Sequence, residues 1–180
     1  IVIAIAMFID TLDSTIISVA IPSIAESFNI DPVAMKLALT CYLLSLAVFI
    51  PISGWIADRY GEKNVFITAI TIFTLSSIWC AASPNLPSLI IARTVQGFGG
   101  ALMMPVGRLI MLRNFSKTEY ANAMTLVIAP GLIGPALGPT LGGLILSVAS
   151  WHWIFLVNIP FGIIEILLAY YYIKPTARQA

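Results

Sequence analysis

The sequence predicts an all-α membrane protein with six transmembrane helices, and two observations lead to that fold class. Of the 180 residues, 59% are hydrophobic and 9% are charged. An ordinary soluble domain is about 25% charged, and a chain this apolar has too little polar surface to face water. The apolar residues also gather into long stretches, and about 20 of them in a helix cross a bilayer.

Short polar breaks divide the chain into six apolar segments. They cover approximately residues 1–25, 34–57, 64–82, 87–111, 120–149 and 153–173. The breaks are too short for a soluble domain, so consecutive helices must be antiparallel neighbours. We interpret residues 1–180 as one six-helix unit that begins inside its first helix. Segments 1 and 4 each carry a charge followed by a proline, which favours two inverted repeats of three helices.

The basic side chains indicate how the chain is oriented. Only Lys36 lies on one side of the predicted membrane. On or near the other side lie Arg59, Lys63, Arg108, Arg113, Lys117, Lys174 and Arg178. Because cytoplasmic loops carry an excess of lysine and arginine, we expect both ends of this chain to be cytoplasmic.

Segment 1 carries two acids in the middle of its apolar run, Asp10 and Asp13. A charge at this depth costs about 2.5–3.5 kcal/mol on insertion scales, so it needs a reason to be there. The usual reason is the binding of a proton, an ion or a cationic ligand, which points to transport. Asp10, Asp13 and Ser14 share one helical face. Asp13 is the deeper acid and the predicted proton site, while Asp10 and Ser14 are candidates for the substrate cavity. The alternative is a structural hydrogen-bond cluster between helices.

Segment 4 carries Arg93 and Gln96 one helical turn apart, hence on one face. Arginine keeps its charge at physiological pH and therefore requires an acid or water inside the membrane. Asp13 is the leading partner and Glu165 in segment 6 is the other. We predict that Asp13 and Arg93 couple transport to protons, and that Gln96 and Glu165 contribute to the cavity. Asp10 and Glu165 are candidates for binding a cationic substrate or a second proton. The alternative for Arg93 is that its side chain reaches the outer interface.

Segment 5 repeats Gly134, Gly138 and Gly142 at every fourth residue, which forms a groove on one helical face. Small residues let a second backbone come close in membranes. Pro139 is one of three prolines that remove backbone donors from this segment. We therefore predict that segment 5 is packed against protein and seals against leak.

The break after segment 2 reads GWIADRYGEK. Gly54 and Gly61 permit a tight reversal, and Lys63 closes the stretch. Asp58 and Arg59 are adjacent opposite charges that could bind a neighbouring helix end and release it as the protein changes state. We predict a conformational latch here; the alternative is a solvated turn.

No constellation for catalysis is visible, so the sequence favours a non-enzyme. The single histidine, His152, has no metal-ligand spacing around it, and no glycine cluster has the phosphate-loop pattern. We expect no metal, no cofactor and no nucleic-acid partner. Asn158, in segment 6, is able to hydrogen-bond across helices.

Five motifs in register resemble the major facilitator superfamily, in the drug:proton antiporter branch typified by EmrB and QacA. They are LDSTIISVAIP, GWIADRYGEK, RTVQGFGGA, GLIGPALGPTLGG and WHWIFLVNIPFG. The fourth resembles the antiporter motif and contributes Gly134, Gly138, Pro139, Gly142 and Gly143. Glu62 stands where the second motif commonly has a basic residue, and His152 stands where the fifth has arginine.

This resemblance implies the N-terminal six-helix bundle of a major facilitator fold, lacking the C-terminal half of the same protein. It implies an inner-membrane transporter that exports hydrophobic or cationic small molecules in exchange for protons, by alternating access of two halves. The alternatives are an exporter of a small metabolite or siderophore with the same fold, and a non-transporting membrane sensor or scaffold.

Overall fold

A computed structural model describes residues 1–175, and every regular element in that range is helical. The elements are α1 (Val2–Phe28), α2 (Lys36–Tyr60), α3 (Glu62–Ala82), α4 (Leu86–Asn114), α5 (Lys117–Val148), α6 (His152–Leu156) and α7 (Asn158–Tyr172). The first five are each long and apolar enough to cross a membrane, and α6 and α7 together form a sixth span. The predicted all-α, six-span fold is confirmed. Arg178, part of the orientation argument, lies outside the described residues.

Local sequence signals fix several helix ends. The Asn85 side chain accepts a hydrogen bond from the Ser88 backbone N–H at 3.0 Å and begins α4. Ser116 and Glu119 form a reciprocal capping box, so α5 begins at Lys117 rather than near residue 120. Gly61 separates α2 from α3 with a φ of 87°, a conformation that glycine adopts without steric cost.

The sixth span is interrupted at Val157, where the sequence predicts one continuous helix over 153–173. Pro160 explains the interruption, because a proline nitrogen has no hydrogen to donate to the carbonyl of Leu156. Val157 keeps helical φ and ψ angles of −61° and −25°, so the chain direction is preserved. The interruption places Asn158 at the first position of α7.

Two of the largest helix interfaces are related by the exchange that two inverted repeats of three helices would produce. The most extensive interfaces join α1 to α5, α2 to α4 and α3 to α4, and only the last of these joins consecutive helices. The expectation that consecutive helices are neighbours is wrong for α1 and α2, because a short connection fixes the direction of the next helix but not the helix on which it packs. The first helices of the two repeats are α1 and α4, and the second helices are α2 and α5. Exchanging α1 with α4, and α2 with α5, converts the α2–α4 interface into the α5–α1 interface. This pairing agrees with the predicted inverted repeats.

The glycine groove of α5 lies against α1. Gly134, Gly138 and Gly142 are buried, and α5 continues through its three prolines. A Cβ atom added at Gly138 would lie 3.2 Å from the backbone nitrogen of Ile16, and one at Gly142 would lie 3.2 Å from the Ile16 carbonyl oxygen. Pro139 is exposed, and a Cβ at Gly143 would meet nothing within 4 Å. The two backbones therefore approach closely only along the three-glycine face.

Two buried apolar clusters occupy the two ends of the bundle. One includes Ile9 of α1 and Phe73 of α3, and the other includes Ile16 of α1 and Cys80 of α3. In α4, Leu102 belongs to the first cluster and Ala92 to the second. In the sixth span, Ala169 belongs to the first cluster and Phe155 to the second. The residues between the clusters form a layer across the bundle, and this layer contains the candidate site.

Candidate functional site

Five polar side chains fill the layer between the two apolar clusters, and we call them the polar layer. They come from α1, α3, α4 and α7, and none is more than 1% exposed: Asp13, Ser77, Arg93, Gln96 and Asn158. Each lies at the point where its own helix passes from one apolar cluster to the other. Four helices therefore converge on one charged centre with no solvent access.

Asp13 and Arg93 form a direct ion pair, as the sequence predicts. Arg93 Nη1 donates to Asp13 Oδ2 at 2.6 Å and also to Gln96 Oε1 at 2.7 Å. Gln96 lies one turn after Arg93 on the same face of α4, so it orients the guanidinium. The alternative in which Arg93 reaches the outer interface is wrong, because its side chain is 0% exposed.

The second carboxylate oxygen of Asp13 is held from α7. Asn158 Nδ2 donates to Asp13 Oδ1 at 2.7 Å and to Ser77 Oγ at 2.9 Å. Ser77 Oγ in turn donates to the carbonyl of Phe155 at 3.1 Å and accepts from Gln96 Nε2 at 3.2 Å. Both oxygens of Asp13 are thus engaged, and this arrangement compensates the charge of an ionised carboxylate.

Tyr42 of α2 links Arg93 to Asp10. The Arg93 guanidinium carbon lies 4.1 Å from the centroid of the Tyr42 ring, within cation–π range. The Tyr42 hydroxyl donates to Asp10 Oδ1 at 2.6 Å. The two acids of α1 therefore have different partners, an arginine for Asp13 and a phenol for Asp10.

The remaining predicted cavity residues occupy different environments. Asp10 and Ser14 are partly buried, and the Ser14 hydroxyl donates to the Asp10 carbonyl of its own helix at 2.6 Å. Gln96 belongs to the polar layer. Glu165 is 0% exposed, and neither of its carboxyl oxygens has a hydrogen-bond partner within residues 1–175. Gln96 and Glu165 thus offer a substrate no accessible surface in this conformation.

At the predicted cytoplasmic edge, Arg113 of α4 binds two acids of the stretch from Gly54 to Lys63, which we call the latch loop. Its Nη2 lies 2.7 Å from Asp58 Oδ1, and its Nη1 contacts Glu62 Oε1. Asp58 thus binds the end of a neighbouring helix, whereas Arg59 lies over the rings of Trp55 and Tyr60, at 5.6 and 5.9 Å.

Glycines and a lysine complete the latch loop. Gly61 makes the turn. The prediction that Gly54 also takes part in the reversal is wrong, because Gly54 lies inside α2, where a Cβ would meet nothing within 4 Å. Lys63 Nζ donates to the Tyr170 carbonyl of α7 at 2.6 Å. The loop is therefore tied to the ends of two other helices, α4 through Arg113 and α7 through Lys63.

Sequence reasoning missed Tyr42 and Ser77. Each is a polar side chain in the middle of an apolar segment, which is the signal that singled out Asp13 and Arg93. A hydroxyl costs far less to bury than a charge, so neither residue stood out. Among the described residues no group of three or more histidine, cysteine or acidic side chains could hold a metal ion.

Curated relatives cover most of this chain. Over 170 residues the chain is 49% identical to "Putative multidrug resistance protein MdtD" of Pectobacterium atrosepticum, covering 94% of this chain and 36% of that protein. It is 50% identical over 163 residues to the protein of the same name from Shigella flexneri, covering 91% of this chain and 35% of the relative. The chain thus spans about a third of the length of these relatives.

Solved structures share the fold at low sequence identity. The proton:xylose symporter XylE matches with a TM-score of 0.82 and 15% identity, over 94% of this chain and 43% of that one. The human organic anion transporter MFSD10 matches with a TM-score of 0.75 and 15% identity, over 97% and 46%. A sequence profile described as Major Facilitator Superfamily matches residues 3–180. The chain therefore belongs to the major facilitator superfamily, and its six apolar spans make it a multi-pass membrane protein.

Proposed function

We propose that this chain is the N-terminal half of a proton-coupled multidrug exporter in the inner membrane, of the EmrB/QacA type, with both ends of the half in the cytoplasm. Its partners are a C-terminal half of the same protein, protons and hydrophobic or cationic small molecules. The relatives named for multidrug resistance, at 49% and 50% identity, support the substrate class. The observation that carries the proposal is the fully buried Asp13–Arg93 pair.

The polar layer provides a reason for protons to change the conformation. A proton on Asp13 neutralises the carboxylate and leaves Arg93 as a buried charge without its anion. Removing one partner of a buried ion pair costs about 3–5 kcal/mol, which is enough to favour a different arrangement of helices. Asn158 and Gln96 also donate to Asp13, at 2.7 and 3.4 Å, so protonation perturbs α7 and α4 together.

The substrate-facing part of this half is the side of α1 that carries Asp10 and Ser14. Asp10 is only partly buried and is held by one neutral donor, the Tyr42 hydroxyl. A hydrophobic cation would gain an ion pair there and would compete with Tyr42 for the carboxylate. Since Tyr42 also contacts Arg93, a substrate at Asp10 would disturb the proton site through one side chain. Gln96 and Glu165 would reach a substrate only after the helices rearrange.

Two further regions support alternating access in this proposal. The α5 glycine groove holds α1 closely and prevents leak beside the polar layer. The ion pairs of Arg113 with Asp58 and Glu62 act as the latch, because they join the α2–α3 turn to the end of α4 and can break as the halves rock.

Replacing Asp13 in the complete transporter tests the proposal. Asp13→Asn keeps the shape of the side chain and removes its titration, so we expect loss of efflux of tetraphenylphosphonium driven by a pH gradient in proteoliposomes. Asp31→Asn is the matched control, because Asp31 is exposed in the α1–α2 loop and binds only the Val33 backbone N–H. Efflux by Asp13→Asn at the rate of the control would show that Asp13 carries no coupling proton.

A further inference from the structure

Within residues 1–175, Glu165 is a buried acid without a hydrogen-bond or ion-pair partner, in the interface between α7 and the helices α1 and α3. It is 0% exposed, forms no ion pair within residues 1–175, and neither carboxyl oxygen is hydrogen-bonded there. Asp13 has the same burial but engages both of its oxygens. The hydrogen bonds and the arginine that offset the cost of burying the Asp13 carboxylate have no counterpart at Glu165 within residues 1–175.

The position of Glu165 along α7 is defined by its neighbours on the same face. Asn158, Gly162, Glu165 and Ala169 are the buried residues of α7. Asn158 belongs to the polar layer, and Ala169 belongs to the apolar cluster of Phe73. Seven residues of helix separate Asn158 from Glu165, or about 10 Å. Glu165 is thus two turns from the polar layer, on the side that the lysines and arginines mark as cytoplasmic.

A second polar group in this interface also lacks a partner. Thr74 of α3 is 6% exposed, and its hydroxyl has no hydrogen bond within the described residues. Thr74 packs so closely on Gly162 that a Cβ there would collide with its side chain. Thr74 therefore lies one turn of α7 before Glu165. Two polar groups without partners within residues 1–175 lie along one helix interface that also reaches the polar layer.

The charged and titratable groups around Glu165 give its carboxylate no cation. From α1, Asp10 acts on it electrostatically, and Asp13 lies in the polar layer. The buried face of α3 has Glu62 at one end and Cys80 near the other, with no titratable group between them. On the remaining span, His152 is the first residue of α6, at the opposite end from Tyr170, and Lys63 of the latch loop binds the Tyr170 carbonyl.

Electrostatics then decide the state of the carboxyl group. Burying an ionised carboxylate without a counterion costs several kcal/mol, and a neighbouring acid adds repulsion. A neutral carboxyl avoids both costs and matches the apolar surroundings. We propose that Glu165 is a second proton-binding site, separate from the Asp13–Arg93 pair, which holds a proton in this conformation and releases it to water when α7 separates from α3.

This inference deepens the proposed function, because a proton that is released matters only in a proton-coupled transporter. The connection runs through α7, since Asn158 binds Asp13 and Glu165 follows on the same face. A change of charge at Asp13 weakens the hold of Asn158 on α1 and frees the helix that carries Glu165. The step is a simple dissociation, in which the carboxyl O–H bond breaks, the carboxylate keeps the electron pair and water takes the proton.

Infrared spectroscopy of the complete transporter detects the proton directly. At neutral pH we expect the carbonyl absorption of a protonated buried carboxyl in the parent protein. We expect its loss in Glu165→Gln, which has nearly the shape of the protonated acid and should fold. Glu26→Gln is the control, because Glu26 is an exposed glutamate. An absorption unchanged in Glu165→Gln would overturn the assignment.

Proton release tests whether the site exchanges. On addition of tetraphenylphosphonium to detergent-solubilised protein with a pH indicator, Glu165→Gln should release one proton fewer than the parent, and Glu165→Asp should restore it. Equal release by Glu165→Gln and the parent would overturn the exchange, leaving a permanently protonated structural group. A parent that shows the absorption but releases no proton would overturn the proposed coupling and this exchange together, while the absorption would still assign a proton to Glu165.

Discussion

The Arg93–Asp13 pair in the middle of the bundle and the Arg113–Asp58 pair at its edge join the same chemical groups at nearly the same distance. The N–O separations are 2.6 and 2.7 Å. Their surroundings differ completely. The side chains of the first pair are 0% and 1% exposed, while those of the second are 27% and 50% exposed. Distance alone therefore does not rank the two interactions.

Burial changes what each pair can do. Within the bundle, loss of either partner leaves an uncompensated charge in an apolar medium, so the pair responds to a single proton with a large change in free energy. At the edge, water solvates Asp58 when it is released from Arg113, and exposed pairs of this kind contribute about 0–1 kcal/mol. Glu62, the other acid that binds Arg113, is only 1% exposed and is not solvated in this way. The buried pair suits a coupling site, and the exposed pair suits a latch that opens easily.

Removal of Arg93 should have the largest effect. Arg93→Ala leaves Asp13 buried without its cation, and we expect a loss of about 3–5 kcal/mol of stability together with loss of proton-driven efflux. Arg93→Lys should be milder but not silent, because an ammonium keeps the charge but lacks the planar guanidinium that lies over the Tyr42 ring. The measurements are thermal unfolding in detergent and the pH profile of efflux. Arg59→Ala is the control, since Arg59 is exposed. Equal behaviour of Arg93→Ala and Arg59→Ala would remove the distinction between the two regions.

The next largest effect is expected in the α5 glycine groove, which holds α1 and therefore the buried pair in position. Gly138→Val places a branched side chain where the backbone of α1 lies 3.2 Å from the new Cβ, so α1 must shift and carry Asp13 with it. Overpacking of this kind costs about 1–3 kcal/mol. Gly143→Val is the matched control, because nothing lies within 4 Å of its Cβ. We expect lower thermal stability and slower efflux only for Gly138→Val. Indistinguishable variants would mean that the groove does not position α1.

The sequence predicted the buried pair far better than the exposed one, and the reason is energetic. A charge in an apolar segment has few allowed partners, so Arg93 and Asp13 predicted each other from opposite ends of the chain. At the edge, water is always an alternative partner. The sequence therefore predicted only that Asp58 and Arg59 could bind some neighbouring helix end, and it did not identify Arg113, which lies 55 residues away along the chain. Hydroxyl and amide partners such as Ser77 depend on helix rotation, which apolar segments alone do not specify.

The helix boundaries show the same division between strong and weak signals. Six spans follow from composition, because each must be long enough to cross the membrane. The interruption of the sixth span at Val157 was not predicted from the sequence, although Pro160 follows it there. Three prolines in α5 leave that helix continuous, so a proline by itself does not tell where a helix breaks. The interruption beside Pro160 makes Asn158 the first residue of α7, from which its side chain hydrogen-bonds to Asp13.

The smallest effect is expected at the latch. Asp58→Asn removes one charge from a pair whose aspartate is half exposed, so thermal stability should fall by no more than about 1 kcal/mol. The difference should shrink further in about 1 M salt, where the Debye length is only about 3 Å. If the pair forms in one conformation only, the same energy shifts the balance between conformations by less than about tenfold. Efflux should then change in rate without being lost, and it should remain proton-driven. The check is to measure efflux and thermal unfolding at low and high salt for Asp58→Asn beside Asp31→Asn, an exposed acid outside this loop. A loss of stability or coupling as large as that of Arg93→Ala would show that exposure does not separate the two pairs.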